Sequence, residues 1–233
     1  GDVTPTPAFQ EAAGQVVMEA EHYDGIVSRS AHDWTLETAK TGFRGTGYMR
    51  VLPNSGTSLN TGYTTTSPEL VFHVNFTTTG IYYVWVRGAA DSGTDDSLHA
   101  GLDGTGPASA DRLSGFTTTS WVWKRDTMDG VPASLLISTP GLHTIHLWMR
   151  EDGLRVDRLL LRKSTSSTVP SGTGPAESVR GSTGPDTTAP IISAVTAGSL
   201  TPTSATITWT TDEPATSQVE YGLDATYGQT SPS

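Results

Sequence analysis

Short segments in which apolar and polar residues alternate dominate the chain between residues 15 and 163. In the clearest of them, Leu70, Phe72, Val74 and Phe76 lie on one face of an extended segment, with polar residues between them. Comparable apolar segments cover residues 15–21, 42–52, 81–90, 97–103, 121–127 and 133–139. No segment repeats with helical periodicity. The pattern predicts about ten short strands separated by Gly-rich turns, which is typical of an all-β jelly-roll sandwich.

Residues 141–163 predict a β-hairpin. Alternation from Ile145 to Met149 leads into the Glu151-Asp152-Gly153 turn, and an apolar run follows. Asp-Gly between two extended segments is a strong hairpin signal. We expect the apolar arms to lie in the core, and the charged tip to be available to a site.

Composition divides the chain into four segments. Residues 1–14 contain little pattern and are interpreted as a leader, and residues 15–163 form the main β-sandwich. Residues 164–188 are rich in Ser, Thr, Gly and Pro, which indicates a flexible linker. Strand patterns resume in residues 189–233 with only three segments, too few to close a domain. This tail is therefore predicted to be a partial immunoglobulin-like sandwich in which the chain stops.

Charge and composition exclude several classes of function. The 233 residues carry 14 Lys and Arg against 24 Asp and Glu, and this excess of acid disfavours nucleic acid as a partner. No apolar run approaches the length of a membrane span. The chain has no Cys, so it cannot be stabilised by disulfides, although a bound ion could serve instead. A monomer is expected.

The main body resembles carbohydrate-binding modules of the family 6 and 35 type. The segments that carry the resemblance are VVMEAEHY, TGFRGTGYM, GIYYVWVRG, DDSLHAGLDG, WVW, GLHTIHL and REDGLRVDRLLL, in this order. The resemblance covers residues 15–163 and implies a galactose-binding-like jelly roll in a secreted bacterial protein. Residues 189–233 resemble the first half of a fibronectin type III domain. Trp209 and the segment DEPATSQVEYG carry this resemblance.

Glu19, Glu21 and Asp157 are the candidate metal ligands. Glu19 and Glu21 are two residues apart on a predicted strand, so their carboxylates would point the same way, at a cost in free energy unless a cation neutralises them. Carboxylate oxygens suit Ca²⁺. In the family that the chain resembles, such a pair binds structural calcium together with an Asp on the last strand, which Asp157 matches. Alternating Glu residues also mark a solvated strand face, so this interpretation stays open.

Trp34, Trp121 and Trp123 are the candidate aromatic contacts to a sugar. Sugars present flat apolar faces ringed by hydroxyl groups, and exposed aromatic rings beside planar polar groups suit them. Trp34 lies in a polar segment and Trp121 follows one, so both are expected at loop edges. Similar modules carry a stacking Trp near the position of Trp121. Trp123 shares its predicted strand face, and both packing and ligand contact remain open for it.

Arg87, Arg150, Glu151 and Arg155 are the candidate polar contacts. Arg155 stands where the family that the chain resembles commonly has Asn, and a guanidinium can bind a carboxylate with two parallel hydrogen bonds. Free arginines would favour an acidic sugar such as a uronate. Ion pairing within the domain is the alternative, and both remain open.

These observations predict a non-catalytic module that binds a polysaccharide or oligosaccharide. The chain contains no nucleophile elbow, no Walker-type phosphate loop and no clear pair of catalytic carboxylates. Such a module would direct a covalently linked glycoside hydrolase or polysaccharide lyase to its glycan. The alternative is a structural spacer that binds no glycan, in which Trp34 and Trp121 would be buried.

Overall fold

The computed structural model describes residues 7–117, 120–163, 168–181, 190–212, 217–224 and 226–231. The chain divides into two compact units, Gly1–Gly184 and Pro185–Ser233. Nearly all of its regular structure is β-strand, which confirms the predicted all-β class. In the described residues no helix is long and apolar enough to cross a membrane.

The first unit contains fourteen described strands and two single-turn helices. The strands are β1 (Ala8–Gln10), β2 (Gln15–Glu19), β3 (Gly25–Val27), β4 (Asp33–Glu37), β5 (Tyr48–Leu52), β6 (Glu69–Phe76), β7 (Gly80–Ala89), β8 (Ser97–Leu102), β9 (Leu113–Ser114), β10 (Val122–Lys124), β11 (Ser134–Ile137), β12 (Gly141–Met149), β13 (Arg155–Arg162) and β14 (Arg180–Gly181). The helices are a 3₁₀ turn, Ala20–His22, and α1 (Tyr63–Thr66).

Two sheets form a sandwich around one apolar core. Sheet 1 has the order β14-β1-β6-β12-β8-β9, with β3 also paired to β6. Sheet 2 has the order β10-β7-β13-β5-β4, with β11 paired to β7 and β2 to β13. Phe72 and Ile145 of sheet 1 belong to the same buried cluster as Val86 and Leu159 of sheet 2. Each large apolar side chain buried here stabilises the fold by roughly 1.5–3 kcal/mol.

The predicted hairpin over residues 141–163 is wrong. Strand β12 pairs with β6 and β8 in sheet 1, whereas β13 pairs with β7, β2 and β5 in sheet 2. The intervening turn therefore carries the chain from one sheet to the other. Leu154 is fully buried in the core at this corner. Asp152 is also fully buried, and its carboxylate accepts hydrogen bonds from the backbone N–H groups of Ser55 (2.7 Å) and Gly56 (3.1 Å).

Both predicted boundaries of the main domain are also wrong. Within the predicted leader, Ala8 and Phe9 are buried, and their strand β1 pairs with β6 in sheet 1. Within the predicted linker, residues 168–181, here called the strap, belong to the first unit and end in β14. Residues 164–167 and 182–188 of that linker lie outside the described residues.

The strap covers a second, smaller apolar cluster, made of Val17, Trp85, Trp123 and Leu160. Leu160 alternates with two core residues along β13, so this cluster lies on the opposite face of sheet 2 from the core. Val17 and Ser178 exchange hydrogen bonds of 2.9 and 3.1 Å. Trp123 Nε1 donates to the carbonyl of Gly172 at 3.2 Å. A Ser/Gly-rich segment can lie this close to a sheet because it has little side-chain bulk.

The second unit contains two short antiparallel pairs, β15 (Ile192–Gly198) with β16 (Thr206–Thr211) and β17 (Glu220–Tyr221) with β18 (Gln229–Thr230). Three of these strands lie in the segments where strands were predicted. Most of the unit's large apolar side chains are exposed, including Ile192 and Leu200. An apolar groove of about 990 Å³ is lined in part by Trp209 and Tyr227.

Candidate functional site

Trp121 stands just before β10 and is half-buried. Its Nε1 donates a hydrogen bond to the carbonyl of Thr41 at 2.9 Å. A Cβ atom built on Gly42, which has φ +92°, would lie 3.2 Å from Cδ1 of Trp121. The loop that begins at Thr41 thus supports one edge of the indole and fixes its orientation, while part of the ring remains open to solvent.

Two side chains hold the indole from its other sides. The ring of Tyr48 approaches Trp121 edge-on, with centroids 5.1 Å apart and planes at 67°. The guanidinium carbon of Arg87 lies 5.5 Å from the centroid of Trp121. Tyr48 is buried and contacts Trp121 directly.

Charged groups surround the hydroxyl end of Tyr48. The hydroxyl donates to Glu37 at 3.1 Å. Asp91 pairs with Arg155 at 2.7 Å and with Arg50 at 3.6 Å. The hydrogen bond from Arg155 lowers the pKa of the Asp91 carboxyl. We call these six residues the Trp121 corner: Trp121, Tyr48, Glu37, Arg50, Asp91 and Arg155.

The predicted metal ligands lie in a neighbouring acid corner, made of Glu19, Glu21, Asp157 and Glu177. Strand β2 ends at Glu19, and Glu21 lies on the 3₁₀ turn, so the prediction that both lie on one strand is wrong. Oε1 of Glu21 accepts hydrogen bonds from the backbone N–H groups of Thr46 (2.7 Å) and Gly47 (3.2 Å).

Asp157 and Glu19 are largely neutralised by arginines. Asp157, which is fully buried, accepts from Arg87 Nη1 at 2.5 Å and from the backbone N–H of Arg44 at 2.9 Å. Arg158 Nε lies 2.8 Å from Oε2 of Glu19. The arginines therefore occupy part of the space that a cation would need.

The acid corner gives two opposite indications about a metal ion. Burial raises the pKa of Glu19 to about 7; Arg158 opposes this rise, and Asp157, Glu21 and Glu177 add to it. The Oε2 atom of Glu21 is buried and accepts no hydrogen bond in the described part of the chain, whereas Oε2 of Glu19 faces Arg158. These features favour a cation. Against it, no three His, Asp or Glu side chains among the described residues are arranged to hold a metal ion.

The predicted exposure of Trp34 is wrong. Trp34 is only 3% exposed, because β4 pairs with β5 and turns the indole into the core. Its Nε1 donates to the carbonyl of Pro68 at 3.2 Å. Ligand contact at Trp123 is also contradicted, because the strap covers this residue and leaves it 6% exposed.

The charged residues predicted to contact a ligand have partners within the domain. Arg150 pairs with Glu151 at 2.6 Å, and Glu151 also accepts from the hydroxyl of Ser97 at 2.6 Å. Arg87 pairs with Asp157, which belongs to the acid corner. Of this set, Arg155 is the one that lies in the Trp121 corner. Each of these four residues therefore has an ion-pair partner within the domain.

Four residues of the Trp121 corner were not predicted from the sequence as site residues: Tyr48, Glu37, Arg50 and Asp91. Arg50 follows Tyr48 by two residues on β5, and this spacing could have indicated a shared sheet face. Asp91 lies in a loop, where the pattern of apolar residues gives no orientation.

The model of the glycosyl hydrolase family 115 C-terminal domain matches residues 8–177. The chain belongs to this family. The residues that match the family 115 C-terminal domain include β1 and most of the strap, which is consistent with the corrected boundaries of the first unit. A protein of Formosa agariphila, named Uncharacterized protein P23, is 29% identical over 205 residues, covering 72% of this chain and 48% of that protein. The chain therefore spans about half the length of the curated relative it matches.

Several solved structures are similar to this family 115 C-terminal domain. The Podospora anserina GH26-CBM35 β-(1,4)-mannanase is 20% identical with a TM-score of 0.47, over 67% of this chain and 29% of that chain. A CBM35 from Paenibacillus barcinonensis is 20% identical with a TM-score of 0.45, over 64% of this chain and 99% of that chain. A family 35 carbohydrate-binding module from Clostridium thermocellum is 20% identical with a TM-score of 0.44, over 64% of this chain and 98% of that chain.

Proposed function

We propose that the first unit is a non-catalytic glycan-binding module that directs a linked glycosyl hydrolase to its polysaccharide. The observation that carries the proposal is the half-exposed indole of Trp121, fixed by Thr41 and Tyr48 beside a group of charged, planar side chains. A flat apolar ring suits the apolar face of a pyranose, and directional hydrogen-bonding groups beside it suit the hydroxyl groups around the sugar's edge. We propose an extracellular location, where such a module would meet polysaccharide outside the cell.

Asp96 and Glu151 are poorly placed for glycoside hydrolysis. Burial raises the pKa of Asp96 to about 6, and the neighbouring Glu151 carboxylate adds to the rise because the two carboxyl groups share a hydrogen bond and would otherwise both be negative. These two carboxyl groups bond to each other, whereas hydrolysis needs catalytic carboxyls about 5 Å or more apart, on either side of the substrate. Glu151 is also paired with Arg150. This arrangement supports a binding role for the unit.

We further propose that the preferred glycan contains uronic acid. Arg155 and Arg50 lie together in the Trp121 corner, and guanidinium groups bind carboxylates with charge-assisted hydrogen bonds. A neutral glycan would offer these guanidinium groups only hydroxyl oxygens, which form weaker hydrogen bonds with them than a carboxylate does.

Replacing Trp121 with alanine tests the binding proposal. Loss of a central aromatic contact typically costs at least about 2 kcal/mol, so we expect the dissociation constant to rise about 30-fold. Affinity electrophoresis against neutral and uronic polysaccharides measures the effect. Leu136→Ala, which removes a 62%-exposed apolar side chain from β11, is the control and should retain binding. A Trp121→Ala variant with unchanged retardation would contradict the proposal.

The spacer function remains the second candidate, because most of the predicted ligand residues have partners within the domain. It would be favoured if the unchanged protein bound none of the polysaccharides. Tryptophan fluorescence would then also stay constant on addition of each glycan.

We also propose that calcium binds at the acid corner, where Glu19, Glu21 and Asp157 would hold it, and that its role is structural. The buried Oε2 atom of Glu21, which accepts no hydrogen bond within the described residues, supports this. Millimolar Ca²⁺ should raise the melting temperature by several degrees, and a chelator should reverse the rise, because an ion that binds only the folded state stabilises it. Glu21→Gln should remove the response, and Asp126→Asn at an exposed site should keep it. A melting temperature insensitive to calcium and chelator would exclude the ion.

For the second unit, we propose a part of a fibronectin type III sandwich. Its exposed apolar residues and the groove beside Trp209 support this, because a face of this kind is normally covered by a second sheet.

A further inference from the structure

Arg50 and Arg155 lie directly opposite each other on β5 and β13. Cross-strand partners of this kind project from the same face of a sheet, so two positive charges are held close together. Like charges at such positions destabilise the sheet unless an anion lies between them. We call these two residues the arginine pair.

Asp91 supplies that anion. It lies in the loop after β7, with one carboxylate oxygen 2.7 Å from Arg155 and 3.6 Å from Arg50. The Asp91 side chain is 49% exposed, whereas that of Arg155 is 10% exposed. The arginine is therefore fixed in the fold, and its carboxylate partner is the part that faces solvent.

Arg155 has more donors than Asp91 uses. Its Nη2 bonds to Asp91, while Nε and Nη1 are buried and make no hydrogen bond within the described residues. Glu37 lies 3.7 Å from Arg50 and is the other acid at the pair. Lys40 and Tyr48 also face this group of charges.

The backbone of the Asp91 loop is held independently of the Asp91 side chain. Asp95, which is 1% exposed, accepts hydrogen bonds from the backbone N–H groups of Asp91 (2.9 Å) and Ser92 (2.7 Å). The carboxylate of Asp91 can therefore rotate away from the arginines while Asp95 keeps the loop in position.

We propose that Asp91 is an internal anion that occupies the arginine pair until the carboxylate of a uronic acid replaces it. This inference rests on the proposed glycan-binding function. When one carboxylate replaces another, the net charge at the arginines stays the same. The free energy that the ligand's carboxylate gains from the arginines is therefore partly offset by the loss of the ion pairs of Asp91. Asp91 thereby sets how strongly acidic glycans are preferred over neutral ones.

Asp91→Asn tests the inference with two matched ligands, a glucuronic-acid-containing oligosaccharide and the same oligosaccharide with its carboxyl reduced to an alcohol. Calorimetry should show roughly fivefold to tenfold tighter binding of the acidic ligand to Asp91→Asn, and no change for the reduced one. Asp126→Asn, the control for loss of one negative charge, should bind both ligands as the unchanged protein does. Arg50→Gln should weaken binding of the acidic ligand alone.

Other results would overturn the inference. Weaker binding of both ligands to Asp91→Asn would mean that Asp91 accepts hydrogen bonds from sugar hydroxyls. Unchanged binding of the acidic ligand, with Trp121→Ala still defective, would overturn the role of Asp91 and leave glycan binding standing. If no glycan binds, the proposed function fails first; free glucuronate should still stabilise Asp91→Asn against heat more than the unchanged protein, and equal stabilisation would reject the internal anion as well.

Discussion

Replacing Asp157 with alanine is expected to lower the free energy of unfolding by about 3–5 kcal/mol. Asp157 is fully buried, and its partner Arg87 is only 7% exposed. The substitution leaves the guanidinium of Arg87 without its carboxylate in a place that water does not reach. It also removes the acceptor for the backbone N–H of Arg44, which holds the loop beneath Trp121. Urea denaturation followed by circular dichroism measures the change.

Asp126→Ala is the control for the Asp157 variant. Asp126 is 65% exposed and lies 3.8 Å from Arg125, so its loss should change the stability by no more than about 1 kcal/mol. The double variant Arg87→Leu with Asp157→Leu should recover much of the loss, because it removes the uncompensated charge. An Asp157→Ala protein as stable as the control would show that this ion pair does not contribute to the fold.

The second large effect is expected from Gly174→Val in the strap. Gly174 has φ +81°, and a Cβ built there would lie 2.6 Å from Cζ2 of Trp123. Backbone strain and the clash together should destabilise the docked strap by about 2–5 kcal/mol. The strap should detach near Gly174 and expose Trp123. The hydrogen bonds between Ser178 and Val17 should limit this detachment to part of the strap. Acrylamide quenching of tryptophan fluorescence should increase.

Gly56→Val separates the clash from the backbone strain. Gly56 has φ +82°, and a Cβ there would meet no atom within 4 Å. It should lower stability through strain alone and leave tryptophan quenching as it was. Equal quenching in both variants would mean that Trp123 is not protected by the strap. Hydrogen exchange at the amides of Val17 and Ser178 gives an independent measurement of strap opening.

Local patterns predicted the individual strands well. The alternation of Leu70, Phe72 and Val74 matches β6 and its buried face. Periodicity reports which side of a strand avoids water, and this holds whichever strand lies beside it. The same reasoning found the position of Trp121 at the edge of β10, because a polar run precedes it.

Local patterns failed where a residue's surroundings come from distant parts of the chain. Trp34 stands among polar residues, yet β5 pairs with its strand and carries it into the core. The Asp-Gly turn at residues 152–153 looked like a hairpin tip. It is a buried corner, because the carboxylate of Asp152 satisfies backbone groups near Ser55.

The sequence by itself determined the all-β class, most strand positions and the clustering of charge near residues 150–157. Only the tertiary structure decided that the Ser/Gly-rich strap covers Trp123, and that Asp91 neutralises Arg50 and Arg155. The physical reason is that strand formation depends on the burial pattern of neighbouring residues. Ion pairs and docked segments depend instead on which strands become neighbours, and that is fixed by packing of the whole core.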